Sequence, residues 1–183
     1  MPAARLEQLA EIECAVWAEL CSAVRGKGHP WRVGVLATVD GERADARSVV
    51  LRDIEASART LLIYTDERSA KARQVERHPL GTLVLWSDPL GWQLRLRVHL
   101  ALQTSGLEVS SRWAQLKMSP AAHDYLSPLP PGSTLAHPLP QRGSRGFFAV
   151  LAAEVQAVDW LELHAEGHRR AIFDAKGRRW VTP

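Results

Sequence analysis

Residues 93–103 read Gln-Leu-Arg-Leu-Arg-Val-His-Leu-Ala-Leu-Gln, and apolar and polar side chains alternate along most of this stretch. Successive side chains of a β-strand point to opposite faces of the sheet, so the alternation predicts a strand with one buried and one polar face. The predicted buried face consists of Leu94, Leu96, Val98, Leu100 and Leu102. No other segment indicates a β fold as clearly.

Further strands are predicted on both sides of this segment. Asp40-Gly41 is a typical hairpin dipeptide, and it joins predicted strands over Trp31–Asp40 and Ala44–Asp53. In the first of these strands one side carries Val33, Val35, Ala37 and Val39. The remaining predicted strands are Thr60–Thr65, Gly81–Trp86, Phe147–Leu163 and His168–Phe173, with turns at Asp88–Gly91 and Lys176-Gly177.

Helical patterns are shorter and fewer. Apolar residues at steps of three and four predict an amphipathic N-terminal helix from about Ala4 to Val24. Two more helices are predicted, over Glu67–Arg77 and residues 108–118, and Pro128–Pro140 is predicted to be a proline-rich loop. Six or more strands with few helices and tight turns predict a mainly β fold. We expect one domain over residues 1–183, an antiparallel β-barrel with peripheral helices.

Composition limits the class of protein. The chain has 183 residues, of which 46% are hydrophobic and 23% charged, and its net charge is +3. This mild basicity suits a small phosphate-bearing ligand at least as well as nucleic acid. No recognition-helix, zinc-finger or RNA-binding motif occurs, so we expect no nucleic-acid partner.

Cysteine content and hydropathy indicate the compartment. Cys14 and Cys21 lie seven residues apart on the predicted N-terminal helix, where they do not easily bridge each other. Buried free thiols in a reducing compartment are therefore expected. The sequence has no signal-peptide pattern and no apolar run that is long enough to span a membrane. We expect a cytoplasmic protein with no membrane partner.

Three cations and a serine are candidates for binding a phosphate group. Arg47 and Arg52 lie on one predicted strand, and Ser69 and Lys71 lie near the start of the next helix, where backbone amides also favour an anion. Ser69 is a candidate helix cap as well. Arg47 and Arg52 are five residues apart, so on a regular strand their side chains leave opposite faces. A bulge or turn near Arg52 would remove this difficulty.

The order of these motifs resembles the pyridoxamine 5′-phosphate oxidase-like flavoproteins, whose split β-barrels bind FMN. The match is good over residues 31–103 and moderate over residues 146–183. The segments that carry it are Arg47-Ser-Val-Val-Leu-Arg52, Tyr64-Thr65, Ser69-Ala-Lys71 and Gln93, followed by Trp160 and Arg170. Each piece is weakly specific alone, and the ordered set is stronger.

The resemblance implies a role for each of these residues. It implies that Arg47, Arg52, Ser69 and Lys71 hold the FMN phosphate, and that the backbone at Val50 and Leu51 contacts the cofactor. It further implies that Tyr64, Thr65 and Gln93 contact the ribityl chain and the ring. Trp160 and Arg170 would reach a flavin that is bound mainly by the partner subunit, which implies a homodimer with the cofactor at the subunit interface.

The chain also departs from the family pattern. Arg52 replaces the usual lysine, and Ala70 replaces a phosphate-binding arginine. Aligning on Tyr125 and Ser133 places Leu129 where the family has an arginine for the substrate phosphate, and His168-Arg169-Arg170 does not reproduce the family's Arg-Leu-His motif. Each lost charge-assisted bond is worth roughly 1.5–3 kcal/mol. We therefore predict an FMN site that does not oxidise pyridoxine or pyridoxamine phosphate efficiently.

Two functional hypotheses follow. The first is an FMN-dependent oxidoreductase acting on an unidentified small molecule, and the second is a non-enzymatic protein of the same fold that binds flavin, deazaflavin or haem. Trp160 has an alternative interpretation as a core aromatic residue, and Arg170 as a surface ion pair. His164-Ala-Glu-Gly-His168 is interpreted as a solvated loop rather than a metal site, and Gly143-Ser-Arg-Gly146 as a flexible connector.

Overall fold

The structure, a computed structural model, describes residues 5–137 and 146–183. Within these ranges the strands are β1 Val33–Asp40, β2 Arg43–Glu55, β3 Thr60–Asp66, β4 Leu80–Ser87, β5 Trp92–Gln103, β6 Phe148–Glu162, β7 Arg169–Asp174 and β8 Gly177–Val181. The α-helices are α1 Leu9–Arg25, α2 Ala70–Arg77 and α3 Leu107–Leu116. Short 3₁₀ helices cover Pro30–Arg32, Ala56–Ala58 and Pro120–Tyr125.

The strands form one antiparallel sheet that closes on itself. Their order is β3-β2-β1-β4-β5-β6-β7-β8, and an additional pairing of β3 with β6 closes the first six strands into a barrel. β7 and β8 continue the sheet outward from β6. The fold is therefore mainly β, a split barrel with peripheral helices and an N-terminal helix, as the sequence predicts.

The barrel interior is the core of the protein. The predicted alternation of β5 is confirmed, since its apolar side chains from Leu94 to Leu100 are buried. α1 packs on β2 and β8, and its apolar stripe is fully enclosed at Ile12, Val16 and Leu20. Burying such side chains contributes roughly 1.5–3 kcal/mol each.

Several boundaries differ from the sequence prediction. α1 begins at Leu9 rather than near Ala4, because Gln8 has an extended backbone and Arg5 bonds the side chain of Glu162 instead of continuing a helix. Trp31 and Arg32 belong to a 3₁₀ turn that begins with a proline, so β1 starts at Val33. The edge strand β8 was not predicted, because its few residues include two arginines and show little alternation.

The valines of β1 share one side, as predicted, and it is the outer side of the barrel. Val33 is 51% exposed and Val35 is 43% exposed. The inner side carries Gly34 and Leu36, and a side chain at Gly34 would meet Leu85 at 2.4 Å. The inner side of β1 is therefore closely packed, and its valines form an apolar strip on the outer surface of the barrel.

Three other predictions concern loops, thiols and membrane segments. Cys14 is exposed and Cys21 is half-buried, so the expectation of two buried thiols is wrong for Cys14; both are free thiols. Residues 126–137 lie in no helix or strand, as predicted, whereas residues 138–145 lie outside the described residues and with them most of the Gly143–Gly146 segment. In the part of the chain that is described, no helix has the length and apolar character needed to cross a membrane.

Candidate functional site

Three polar side chains meet where β3 leads into α2. Thr65 lies near the end of β3, Ser69 caps α2, and Lys71 follows in its first turn. The ammonium of Lys71 donates to Thr65 Oγ1 at 2.9 Å and approaches Ser69 Oγ at 3.5 Å. Thr65 is 2% exposed and Ser69 is 3% exposed. The predicted capping role of Ser69 is confirmed, since its Oγ accepts the Ala72 N–H.

Arg47 extends toward the same helix from β2. Its guanidinium donates to Thr38 Oγ1 at 2.5 Å and to Gln74 Oε1 at 2.9 Å. Gln74 lies on α2, one turn beyond Lys71, and it also donates to Asp45 at 2.9 Å. Asp45 in turn pairs with Arg47 at 2.5 Å. Together, Arg47, Thr65, Ser69 and Lys71 are called the anion cluster below.

Electrostatics within the cluster favour an incoming anion. Burial lowers the pKa of Lys71, the positive charge of Arg47 lowers it further, and Asp66 partly opposes both effects. Within the described residues, the hydrogen bonds of the Lys71 ammonium are to hydroxyls rather than to a carboxylate. Lys71 at the N-terminal end of α2, with Arg47 close enough to lower its pKa, suits a phosphate group.

Arg52 lies beside Tyr125, on the same strand as Arg47. The pairing of β2 with β3 shifts by one residue between Leu51 and Asp53, so Arg52 occupies a bulge, the irregularity under which Arg47 and Arg52 need not leave opposite faces. Its charge acts instead on Tyr125, whose pKa is raised by burial and lowered again by Arg52, and on Arg32, whose pKa is lowered by burial and then by Arg52. Arg52 thus lies beside Tyr125, and its predicted role toward a phosphate stays a prediction.

Tyr64 and Thr65 point to opposite faces of β3. Thr65 faces the anion cluster, whereas Tyr64 packs edge-to-face on Phe148 at 4.9 Å, in the cluster covered by α3. The side chain of Leu51 is fully buried in the core, so only its backbone is available to a ligand, whereas the side chain of Val50 is half-buried. The cofactor role of these residues stays a prediction.

Gln93 and Arg170 lie on the outer face of the sheet, in one row. Gln93 of β5 pairs with Leu161 of β6, and Leu161 pairs with Arg170 of β7. Trp86 continues the row on β4 and is 42% exposed. β1 and β4 separate β2 from β5, which is about 14 Å of sheet at the usual strand spacing. The row is thus well separated from Arg47.

Arg170 is held in place by Asp159. Its Nε and Nη2 donate to the two oxygens of this carboxylate at 2.9 and 2.8 Å, and Arg95 donates to one of the same oxygens. Burial alone would raise the pKa of Asp159, but the hydrogen bonds from both arginines outweigh burial and lower it. The surface ion pair that the sequence analysis gave as the alternative for Arg170 is therefore present.

The prediction that Trp160 contacts a flavin disagrees with its position. The Trp160 side chain is 0% exposed and points into the barrel core. Its ring packs edge-to-face on Trp92 at 5.4 Å and contacts Trp180 at 6.2 Å. A side chain enclosed in the core of one subunit cannot reach a ligand bound by another. The position of Trp160 agrees with its alternative interpretation as a core aromatic residue.

Sequence reasoning missed the neutral partners of Arg47. Thr38 faces Asp45 across the hairpin, a pairing that follows from the Asp40-Gly41 turn. Gln74 follows Lys71 by three residues, which places both side chains on one helix face. Both signals were present in the sequence.

The histidine segment forms a loop, as predicted. His164, Glu166 and His168 are exposed, and the ring of His164 accepts the Glu166 N–H at 3.1 Å. Among the described residues, no group of three or more histidine, cysteine or acidic side chains has the arrangement of a metal site.

Comparison with known proteins agrees with the fold and with the motifs. The sequence model of the family "Pyridoxamine 5′-phosphate oxidase, FMN-binding domain" matches residues 14–104. The chain is a divergent member of the pyridoxamine 5′-phosphate oxidase-like family. A pyridoxine/pyridoxamine 5′-phosphate oxidase of Myxococcus xanthus is 32% identical over 101 residues, 48% of this chain and 48% of that protein. The chain thus matches about half the length of this relative.

Two solved structures share the fold. A pyridoxamine 5′-phosphate oxidase-related, FMN-binding protein of Nostoc punctiforme has a TM-score of 0.74 and 24% identity, over 92% of this chain and 96% of that chain. A haem-binding protein of Mycobacterium smegmatis has a TM-score of 0.57 and 19% identity, over 94% of this chain and 60% of that chain. Of these two proteins with the same fold, one is therefore described as binding FMN and the other as binding haem.

Proposed function

We propose that the protein binds FMN, with the cofactor phosphate in the anion cluster. The observation that carries the proposal is the state of Lys71, a largely buried ammonium beside Arg47 whose partners are two hydroxyls. A phosphate dianion would compensate the charge of Lys71 and accept hydrogen bonds from Thr65, Ser69 and the ammonium. Ala70 stands where the family has another phosphate-binding arginine, so these groups would carry most of the phosphate interaction.

A second copy of the chain would complete the site. Gln93 and Arg170 lie on a different part of the surface from the anion cluster, although the resemblance assigns them to the same cofactor. Between the anion cluster and these two residues, the outer face of the sheet exposes Val33, Val35 and Trp86. In a two-fold dimer, an apolar strip of this kind is buried against the same strip of the second subunit. We therefore propose a homodimer in which Gln93 and Arg170 of one subunit contact the flavin held by the anion cluster of the other.

The activity we propose is electron or hydride transfer between FMN and a small organic molecule. Flavin supplies the redox chemistry when bound, and the residues of the chain hold and orient it. Arg170 would place a positive charge near the ring, which favours an anionic reduced flavin. With Leu129 in place of an arginine, we propose that vitamer phosphates are poor substrates.

A second candidate is a cofactor-binding protein without turnover. It is favoured by the loss of the substrate-phosphate arginine and by the fold shared with a haem-binding protein. The absorption spectrum of the purified protein distinguishes the two ligands, since flavin and haem absorb differently. Flavin bands, followed by reduction with NADH or NADPH and reoxidation by a substrate, would support an enzyme. A colourless protein that leaves the fluorescence of added FMN unchanged would refute both FMN proposals.

A further inference from the structure

Both terminal nitrogens of Arg47 already make two hydrogen bonds each. Nη1 donates to the Leu36 carbonyl at 3.3 Å and to Thr38 Oγ1 at 2.5 Å. Nη2 donates to Asp45 at 2.5 Å and to Gln74 Oε1 at 2.9 Å. Each nitrogen carries two N–H groups, so these four bonds use all of them. A phosphate that accepts two parallel bonds from Arg47 must therefore replace at least one partner that is already there.

Asp45 is the partner that can leave Arg47 at the lowest cost. Thr38 is 3% exposed and Gln74 is 5% exposed, so a bond that either side chain lost would be poorly replaced by water. The Leu36 carbonyl belongs to the backbone of β1 and is fixed by the strand. The side chain of Asp45, by contrast, is 44% exposed, and its carboxylate can be hydrated after it leaves.

Gln74 keeps Asp45 beside Arg47. Its Nε2 donates to the Asp45 carboxylate at 2.9 Å, while its Oε1 also accepts from Thr38 Oγ1 at 2.6 Å. The hydrogen bond from Gln74 lowers the pKa of Asp45, desolvation partly opposes this, and the charge of Arg47 lowers the pKa further. Asp45 is therefore ionised at neutral pH and occupies Arg47 as an anion would.

The two cations of the anion cluster thus differ in their partners. Lys71 Nζ bonds to the hydroxyls of Thr65 and Ser69, whereas Arg47 bonds to a carboxylate. A phosphate that binds both cations meets Asp45 as a like charge on Arg47. Like charges at close range repel each other, and the repulsion falls when the carboxylate turns towards water.

We propose that Asp45 is an intramolecular competitor for the phosphate: it pairs with Arg47 while the anion cluster is empty and turns to solvent when a phosphate binds. The inference rests on the proposed function for naming FMN as the ligand, but it holds for any phosphate in this cluster. Asp45 neutralises Arg47 in the unliganded protein and lowers the affinity for phosphate. FMN is accordingly released more readily than from a cluster without this carboxylate.

Removing the charge of Asp45 should change affinity and stability in opposite directions. In calorimetric titration, Asp45→Asn should bind FMN about threefold to tenfold more tightly than the natural protein, because no carboxylate competes. Without ligand, the same variant should unfold at a lower urea concentration, because Arg47 loses its charged partner. The affinity for riboflavin, which has no phosphate, should not change. Asp45→Ala removes the whole carboxylate and should also bind FMN more tightly.

Asp174→Asn is the matched control. Asp174 on β7 pairs with Arg179 at 2.7 Å, so this substitution also breaks an aspartate–arginine pair and changes the net charge equally. It should leave FMN affinity unchanged. An equal gain in affinity from Asp174→Asn, or no gain in either Asp45 variant, would overturn the proposal.

Inorganic phosphate is a second probe that separates this inference from the proposed function. Its binding is measured as the rise of the unfolding midpoint with phosphate concentration. If phosphate binds Asp45→Asn more tightly than the natural protein and neither binds FMN, the role of Asp45 stands and the FMN function is refuted. FMN binding that neither Asp45 variant strengthens would refute the competitor and retain the function. If neither probe binds, both proposals are refuted.

Discussion

Lys71 Nζ lies 2.9 Å from Thr65 Oγ1, and this contact joins the first turn of α2 to the end of β3. The lysine and the threonine are six residues apart in sequence, and Ser69, the N-cap of α2, lies between them. The contact places an ammonium beside a hydroxyl, as the proposed phosphate site requires. A partly buried cation held by hydroxyls costs stability, which a bound anion would recover.

The first prediction concerns pH. Burial lowers the pKa of Lys71 from its ordinary value of 10.5, so at neutral pH the charged side chain destabilises the folded protein. As pH rises from the lowered pKa towards 10.5, the unfolded chain binds more protons than the folded one, so this cost disappears. Without FMN, Lys71→Met should therefore be more stable than the natural protein at neutral pH. In urea unfolding the difference should shrink as pH rises, and a constant difference would contradict this account.

The second prediction concerns the shared site. Lys71→Gln and Arg170→Gln homodimers should each bind FMN weakly at both sites, because each lesion is repeated by symmetry. A heterodimer that combines the two variants should regain one intact site, and tandem affinity tags allow its isolation. One FMN of natural affinity per heterodimer is expected. Failure to recover any tight site would contradict assembly from two subunits.

The third prediction concerns Trp160. Because its side chain packs in the core against Trp92 and Trp180, Trp160→Phe should lower the unfolding free energy by about 1–3 kcal/mol. FMN affinity should change less than about threefold, since the Trp160 side chain is fully buried inside its own subunit. Trp180→Phe, at a 45% exposed position, is the control and should cost less stability. A large loss of FMN affinity at unchanged stability would restore Trp160 as a cofactor contact.

The fourth prediction concerns the outer strip. Val35→Asp places a carboxylate in the centre of the proposed interface, so it should convert a dimer to a monomer in sedimentation analysis. FMN affinity should fall together with dimer content. Leu107→Asp, on α3 at an 85% exposed position, is the control and should change neither property. A Val35→Asp protein that remains dimeric would place the interface elsewhere.

Much of the fold follows from local patterns. The Asp40-Gly41 turn sets the register of β1 and β2, and the alternation in β5 assigns its inner face. These features depend on residues close together in sequence, which is why the sequence alone predicts them. A bulge near Arg52 was only a condition in the sequence, the one under which Arg47 and Arg52 need not leave opposite faces, and the structure has a bulge there.

Other features depend on distant contacts. β6 has apolar residues on both faces, so alternation could not assign Trp160 to the interior. Arg68 donates to the backbone carbonyls of Ser127, Pro128 and Leu129, which are 59 to 61 residues away in sequence. No local pattern indicates these hydrogen bonds. The position of Arg52 beside Tyr125 likewise appears only when β2 and the 3₁₀ helix at Pro120–Tyr125 are seen together.

The most direct test of the central claim compares FMN with riboflavin, which lacks the phosphate. If the anion cluster holds that phosphate, calorimetric titration should show FMN binding at least about a hundredfold more tightly than riboflavin. Lys71→Gln should reduce this ratio by about tenfold or more and leave riboflavin affinity unchanged. The control, Arg77→Gln at an exposed position at the end of α2, should leave the ratio unchanged. Equal affinities for FMN and riboflavin in the natural protein, or a ratio that Lys71→Gln does not change, would contradict the account.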